Sequence, residues 1–175
     1  CLLSTDRMLF DTVQPINQER YEEVKKLLKE TQMELRGVVN NLMPKTLEKY
    51  GLEEAINQLC GSINQSSKFQ IELSFENIKE DSFERDFKIN VYRIVQELLN
   101  NSIKHSRGSK MELLLNQTND CIYIKYKDDG VGMNENLKDG LSLNARISDL
   151  GGQMKAENEN PGFRVEISLP IFLKK

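Results

Sequence analysis

Along this chain the spacing of apolar residues switches between a helical and an extended period, and those switches dictate the fold class. From Leu52 onward, Ala55, Ile56, Leu59, Cys60 and Ile63 fall on one face of a short helix that ends near Ser66 and Ser67. Directly afterwards Phe69, Ile71, Leu73 and Phe75 alternate with Gln70, Glu72, Ser74 and Glu76, the pattern of a strand with one face buried. The helical period returns over residues 85–105, where Phe87, Val91, Ile94, Val95, Leu98 and Leu99 form an apolar stripe. Two strands follow, 110–115 and 121–127, joined by the polar turn NQTND. The segment DDGVGM ends the second of them, and a helix near 141–150 stops at Gly151 and Gly152. Two further strands close the chain, the last carrying Phe163, Val165, Ile167 and Leu169. Helices interleaved with half-buried strands can bury their apolar faces together only as a helix layer on a sheet. The expected fold is therefore α+β, a layer of helices on a sheet.

The N-terminal part follows a different rule. Residues 2–13 have helical spacing but open without a capping residue, as though the helix had been cut, so the chain reads as a piece of a longer protein. A second helical pattern over 18–43 repeats Tyr21, Val24, Leu28, Thr31, Leu35, Val38 and Leu42 at alternating steps of three and four. That spacing is the seam of a coiled coil or helical bundle. Pro44 breaks it, and MPKTLEKYG reads as a connector. Two units are expected: a helical hairpin over 1–48 for association, and an α/β domain over 49–175 for chemistry.

Composition excludes several functions. With 24 Lys and Arg against 27 Asp and Glu, the net charge of −3 leaves no basic surplus for binding nucleic acid directly. The three cysteines are far apart and sit in apolar patterns, which fits reduced thiols in a cytoplasmic protein better than a disulfide framework. A single histidine, His105, rules out a multi-histidine metal site within these residues. No apolar run approaches the roughly 20 residues of a membrane span. Neither GxxxxGK[ST] nor GxGxxG occurs, which removes the two common phosphate-binding loops.

Two constellations carry chemistry. On the 85–105 helix, Arg93, Glu97, Asn100, Asn101 and Lys104 recur at steps of three and four with His105 at their edge. Such a face is often no more than a wet one. Here a carboxylate one turn before a carboxamide, followed by Lys-His, aligns oxygen ligands for a hard cation with groups that can meet phosphate. The second constellation is DDGVGM at a strand end, where two glycines permit a tight turn and close approach of a ligand to the backbone.

In order, NVYRIVQELLNNSIKHS, DDGVGM, DGLSLNARISDLGG and PGFRVEISLP resemble the ATP-binding domain of the GHKL superfamily, and more narrowly that of two-component sensor histidine kinases. The preceding ELRGVVNNLMPKTLEKYGLEEAINQLC is similar to the second dimerisation helix and linker of the subgroup that phosphorylates response regulators with helix-turn-helix output domains. The resemblance implies a Bergerat-type ATP-binding fold over 49–175, a two-layer α/β sandwich with a mixed sheet, with ATP and Mg2+ as ligands. It also implies homodimerisation through the hairpin, a response regulator as partner, and membrane attachment only through segments upstream of Cys1.

Residue by residue, Glu97 matches the acidic group that polarises the attacking imidazole and Asn101 the magnesium ligand. Lys104 and His105 match the positions that meet the phosphates. Asp128 matches the carboxylate that accepts from the adenine amino group, with Gly130 and Gly132 shaping the pocket floor. Gly140 and Leu141 match the second glycine box, at the end of a lid over the triphosphate. The departures are Lys138 at that box's first glycine position, a short lid between Met133 and Gly140, and Gly162-Phe163 where the family has Gly-Thr. The family's phosphoacceptor histidine lies on the first dimerisation helix, upstream of the residues present, so this chain alone is expected not to autophosphorylate. Two alternatives use the same residues: a decayed domain acting as a dimeric scaffold, and a protein-serine kinase of the anti-sigma type.

Overall fold

The structure is a computed structural model that describes residues 20–21, 23–25, 45–132 and 141–171, with the side chains of 141 and 142 left out. The chain divides into two compact units, Cys1–Met43 and Pro44–Lys175. In the first, residues 20–21 and 23–25 are helical, and the Lys25 ammonium stands 5.6 Å from the Tyr21 ring centroid, one turn away. The rest of the expected seam lies outside the described residues.

The second unit opens with α1 (Lys45–Tyr50), a short helix in the stretch that the sequence presented as a connector. Proline stops a helix but is equally suited to the first turn of the next one, and Leu47, only 2% exposed, anchors this turn in the core. Helix α2 (Leu52–Ser66) follows, with Leu52, Ala55, Ile56, Cys60 and Ile63 buried as their spacing requires. Its N-terminus has no local side-chain cap. The cap comes from Glu80, in a 3-10 turn over Glu80–Ser82: its two carboxylate oxygens accept from the backbone N–H groups of Leu52 and Glu53, each at 2.7 Å.

Between α2 and the 3-10 turn runs β1 (Gln70–Glu76). Helix α3 (Arg85–His105) leads to β2 (Lys110–Gln117) and β3 (Cys121–Asp128), and α4 (Leu141–Asp149) leads to β4 (Gln153–Asn158) and β5 (Phe163–Pro170). The sheet order is β1-β2-β3-β5-β4. Strands β1 and β2, joined through α3, pair in parallel, and the other pairs are antiparallel, so the sheet is mixed as expected. Residues alternate across it. Met111, Leu113, Leu115, Ile122, Ile124, Tyr126, Val165, Ile167 and Leu169 all face inward at 2% exposure or less. Val91, Ile94, Val95 and Leu99 of α3, none measurably exposed, supply the helix layer of the core. On the other face Glu112 pairs with Lys127 and Lys125 with Glu166 in register, complementary charges suited to a wet surface.

Strands β2 and β3 run past the expected ends, to Gln117 and Asp128. The new terminal residues, Gln117 and Asp128, are polar yet buried, because each is satisfied. Gln117 accepts from the Lys79 N–H at 2.6 Å and donates to the Ser82 hydroxyl at 3.1 Å.

Candidate functional site

Asp128 closes β3 on the buried face and is only 2% exposed. A carboxylate taken out of water needs donors, and three groups surround it. The Ser102 hydroxyl of α3 donates to Oδ2 at 2.7 Å, the Tyr126 hydroxyl lies 3.3 Å from the same oxygen, and the Gly130 N–H donates to Oδ1 at 2.9 Å. Tyr126 has one proton and a nearer acceptor, donating to Ser102 Oγ at 2.5 Å. Burial, and then the adjacent Asp128 carboxylate, push the Tyr126 phenol far above its ordinary range, so it remains a donor. The unused lone pairs of Asp128 can only accept. A ligand that meets this strand end must therefore bring an N–H or O–H group.

The neighbouring Asp129 does different work. Its carboxylate accepts from the backbone N–H of Ser109 at 2.6 Å and of Lys110 at 2.8 Å, and from the Ser109 hydroxyl at 3.0 Å. The Lys110 N–H, first among these donors, holds its carboxyl below the usual range. The Val131 N–H reaches the Ser106 carbonyl at 2.7 Å, so the loop after α3 is tied to the loop after β3. Gly130 is required at that junction: a Cβ there would stand 2.2 Å from the Ser106 carbonyl oxygen. Gly132 takes a φ of 79°, the left-handed region open to glycine, and turns the chain away from the strand.

Helix α3 supplies the other wall. Glu97 and Asn101, one turn apart, are half-buried; Asn100, Lys104 and His105 are exposed. Ser102, adjacent to Asn101 but on the buried side of α3, donates to Asp128 and so joins α3 to the start of the DDGVGM segment. Lys104 and His105 occupy the last helical turn, where cations also complement the helix dipole. Arg93 departs from the expected wet face. It is 9% exposed, and its Nη1 donates to Gln96 at 2.7 Å. Helix α4 is docked on the start of α3 by Arg146, whose Nη1 donates to Asn90 at 3.0 Å, and by buried Leu143 and Ile147. Gly140, the lid and Lys138 lie outside the described residues, as does the side chain of Leu141, which opens α4. Phe163 sits opposite Asp128 in register and is 5% exposed, so a ring fills the core position beside the carboxylate.

Ser102 and Tyr126 were not among the residues singled out from the sequence. Their signal was available: a hydroxyl one turn after Leu98 on the apolar stripe, and a tyrosine in register with Ile122 and Ile124 on an inward row. A buried hydroxyl needs a partner. Among the described residues no group of three or more His, Cys, Asp or Glu can hold a metal by itself, and no helix is long and apolar enough to cross a membrane.

The site is thus a helix-on-sheet sandwich with a buried, hydrogen-bonded carboxylate at a strand end. Residues 88–172 match the family described as "Histidine kinase-, DNA gyrase B-, and HSP90-like ATPase" and form a domain of that family. The chain is 30% identical over 160 residues to the sensor histidine kinase LiaS of Bacillus subtilis (strain 168), covering 88% of this chain and 44% of LiaS. It is 30% identical over 144 residues to the sensor histidine kinase ComP of the same organism, covering 78% of this chain and 19% of ComP. The chain thus spans less than half the length of these relatives. Its fold is similar to the catalytic domain of histidine kinase ThkA, with a TM-score of 0.52 at 20% identity over 70% of this chain and 92% of that one. The relatives are thus named as sensor histidine kinases, and the likeness to ThkA, at 20% identity, is one of fold.

Proposed function

We propose that this chain is the ATP-binding part of a protein-histidine kinase, with residues 1–48 contributing half of a dimer bundle and 49–175 the catalytic domain. The observation that carries the reading is Asp128, a buried carboxylate held by Ser102 and Gly130 so that it can only accept, at the end of a strand in an ATPase-family segment. It would take the amino group of adenine, over a floor made by Gly130 and Gly132. Lys104 and His105 would meet the phosphates, and Gly140 and Leu141 would end the lid above them. Glu97 would orient the acceptor imidazole and draw off its proton as the nitrogen–phosphorus bond forms and ADP leaves.

Magnesium fits the donor set. One carboxamide oxygen at Asn101, with Glu97 one turn before it, is too little for a protein-only site but suits a cation that keeps waters and phosphate oxygens. When bound it would neutralise phosphate charge. The relatives being sensor histidine kinases favours this reading over a scaffold or a serine kinase. The partners would be a second copy of the chain and a response regulator with a helix-turn-helix output domain, and the compartment the cytoplasm.

The test is the thermal midpoint of the chain with and without Mg-ATP. A ligand at about a hundred times its Kd adds roughly 2.7 kcal/mol to the folded state. Wild type should shift, and Asp128→Asn and Asn101→Ala should shift far less. No shift at millimolar Mg-ATP would refute the reading.

A further inference from the structure

We infer that Ser102 and Tyr126 are positioning residues for base selection: a two-hydroxyl relay fixes Oδ2 of Asp128 as an acceptor while the Gly130 N–H holds Oδ1, so that the site takes a purine with a 6-amino group and rejects the 6-oxo analogue. The inference rests on the ATP reading above and deepens it. Its first support is the direction of the proton chain. Tyr126 donates to Ser102 at 2.5 Å, which leaves the single Ser102 proton for Asp128 Oδ2 at 2.7 Å, while Gly130 serves Oδ1 at 2.9 Å. Every donor is thereby assigned, and none points outward toward a ligand from the carboxylate.

The second support is placement. Tyr126 lies in register between Leu113 and Val165, and all three are 2% exposed or less. An apolar side chain would suit that row, and a phenol there requires a partner or carries a desolvation penalty. Its hydrogen-bond partners are Ser102 and Asp128. Ser102, 5% exposed, stands on the apolar stripe of α3 beside Leu98 and Leu99, so its hydroxyl too is directed into the core, where it meets Asp128. Two buried hydroxyls converging on one carboxylate make a network whose worth lies in holding that carboxylate in a single orientation. Fixed orientation is what turns an acceptor into a discriminator, because a rotated or protonated carboxyl could present a donor to a 6-oxo group.

The Tyr126 hydroxyl also stands 3.3 Å from Oδ2, close enough to replace Ser102 in part. The two should therefore back each other up. The test measures Kd of the whole chain for Mg-ATP, Mg-ITP and magnesium tripolyphosphate, the last lacking a base, in wild type, Ser102→Ala, Tyr126→Phe and the double variant, each checked for folding by circular dichroism. Wild type should prefer ATP over ITP by at least about tenfold. Ser102→Ala should cut that preference about threefold and the double variant should nearly abolish it, with tripolyphosphate binding unchanged throughout. An undiminished ATP/ITP ratio in the double variant would overturn the relay while leaving the nucleotide site standing; should that variant not fold, an undiminished ratio in both single variants does the same. Parallel weakening of all three ligands would also overturn it, since that is the signature of a merely structural role. Wild type binding ATP and ITP equally would overturn the assignment of Asp128 itself.

Discussion

Glu80 holds the start of α2 from 28 residues away, and removing its side chain should be among the most damaging surface-accessible changes in the second unit. The carboxylate accepts from the N–H groups of Leu52 and Glu53 at 2.7 Å each and lies 3.6 Å from the Lys88 ammonium. Helix N-termini have unsatisfied N–H groups, and their loss of a cap costs roughly 0.5–2 kcal/mol. Two bonds to a charged acceptor put Glu80→Ala at the upper end, about 2 kcal/mol. The Lys88 contact adds little, because both side chains keep water contact, at 21% and 23% exposure. For a unit of this size that should lower Tm by about 5–8 °C. Glu80→Gln, which retains one acceptor oxygen, should lose about half as much. Gly51→Ala should fail for a separate reason: φ is 87° there, and the new Cβ would stand 2.2 Å from Glu80 Oε2. Thermal and urea unfolding followed by circular dichroism measure all three. If Glu80→Ala melts within about 1 °C of wild type, water caps α2 as well as the carboxylate does, and the reasoning fails.

Two further outcomes follow from groups with shifted proton affinities. Donors from Lys110 and Ser109 lower the Asp129 carboxyl, so its stabilisation is fully present above the ordinary aspartate value of 3.8 and is lost as pH falls through the lower folded value. Asp129→Asn should therefore destabilise the chain at neutral pH and flatten the acid limb of its unfolding curve; an acid midpoint that depends on pH just as in wild type would refute this. Burial raises the Cys60 thiol to about 11, whereas Cys121 is half-exposed at the start of β3. Iodoacetamide at pH 8 should label Cys121 well before Cys60, and mass spectrometry showing the reverse order would mean that α2 opens readily.

What could be read from residue order depended on whether a side chain's neighbours were implied by its own period. The 85–105 helix and the inward rows of β2, β3 and β5 were legible because apolar residues at steps of three, four or two have one place to go. The Ser102–Asp128 bond joins α3 to the start of DDGVGM. Several misses share a cause: a polar group satisfied by a distant one. Gln117 and Asp128 look like loop residues beyond the strands because their partners, Lys79 and Ser102, are 38 and 26 residues away. Residues 45–50 look like a connector because a single buried leucine gives no period. Arg93 looks solvated because its step matches Glu97, although only 9% of it is exposed. The two residues that hold Asp128 are hidden in the same manner, each passing for a tolerated exception on an apolar face. Buried hydroxyls on such faces are thus where residue order conceals most, since their presence is explained only by the group they were placed to meet.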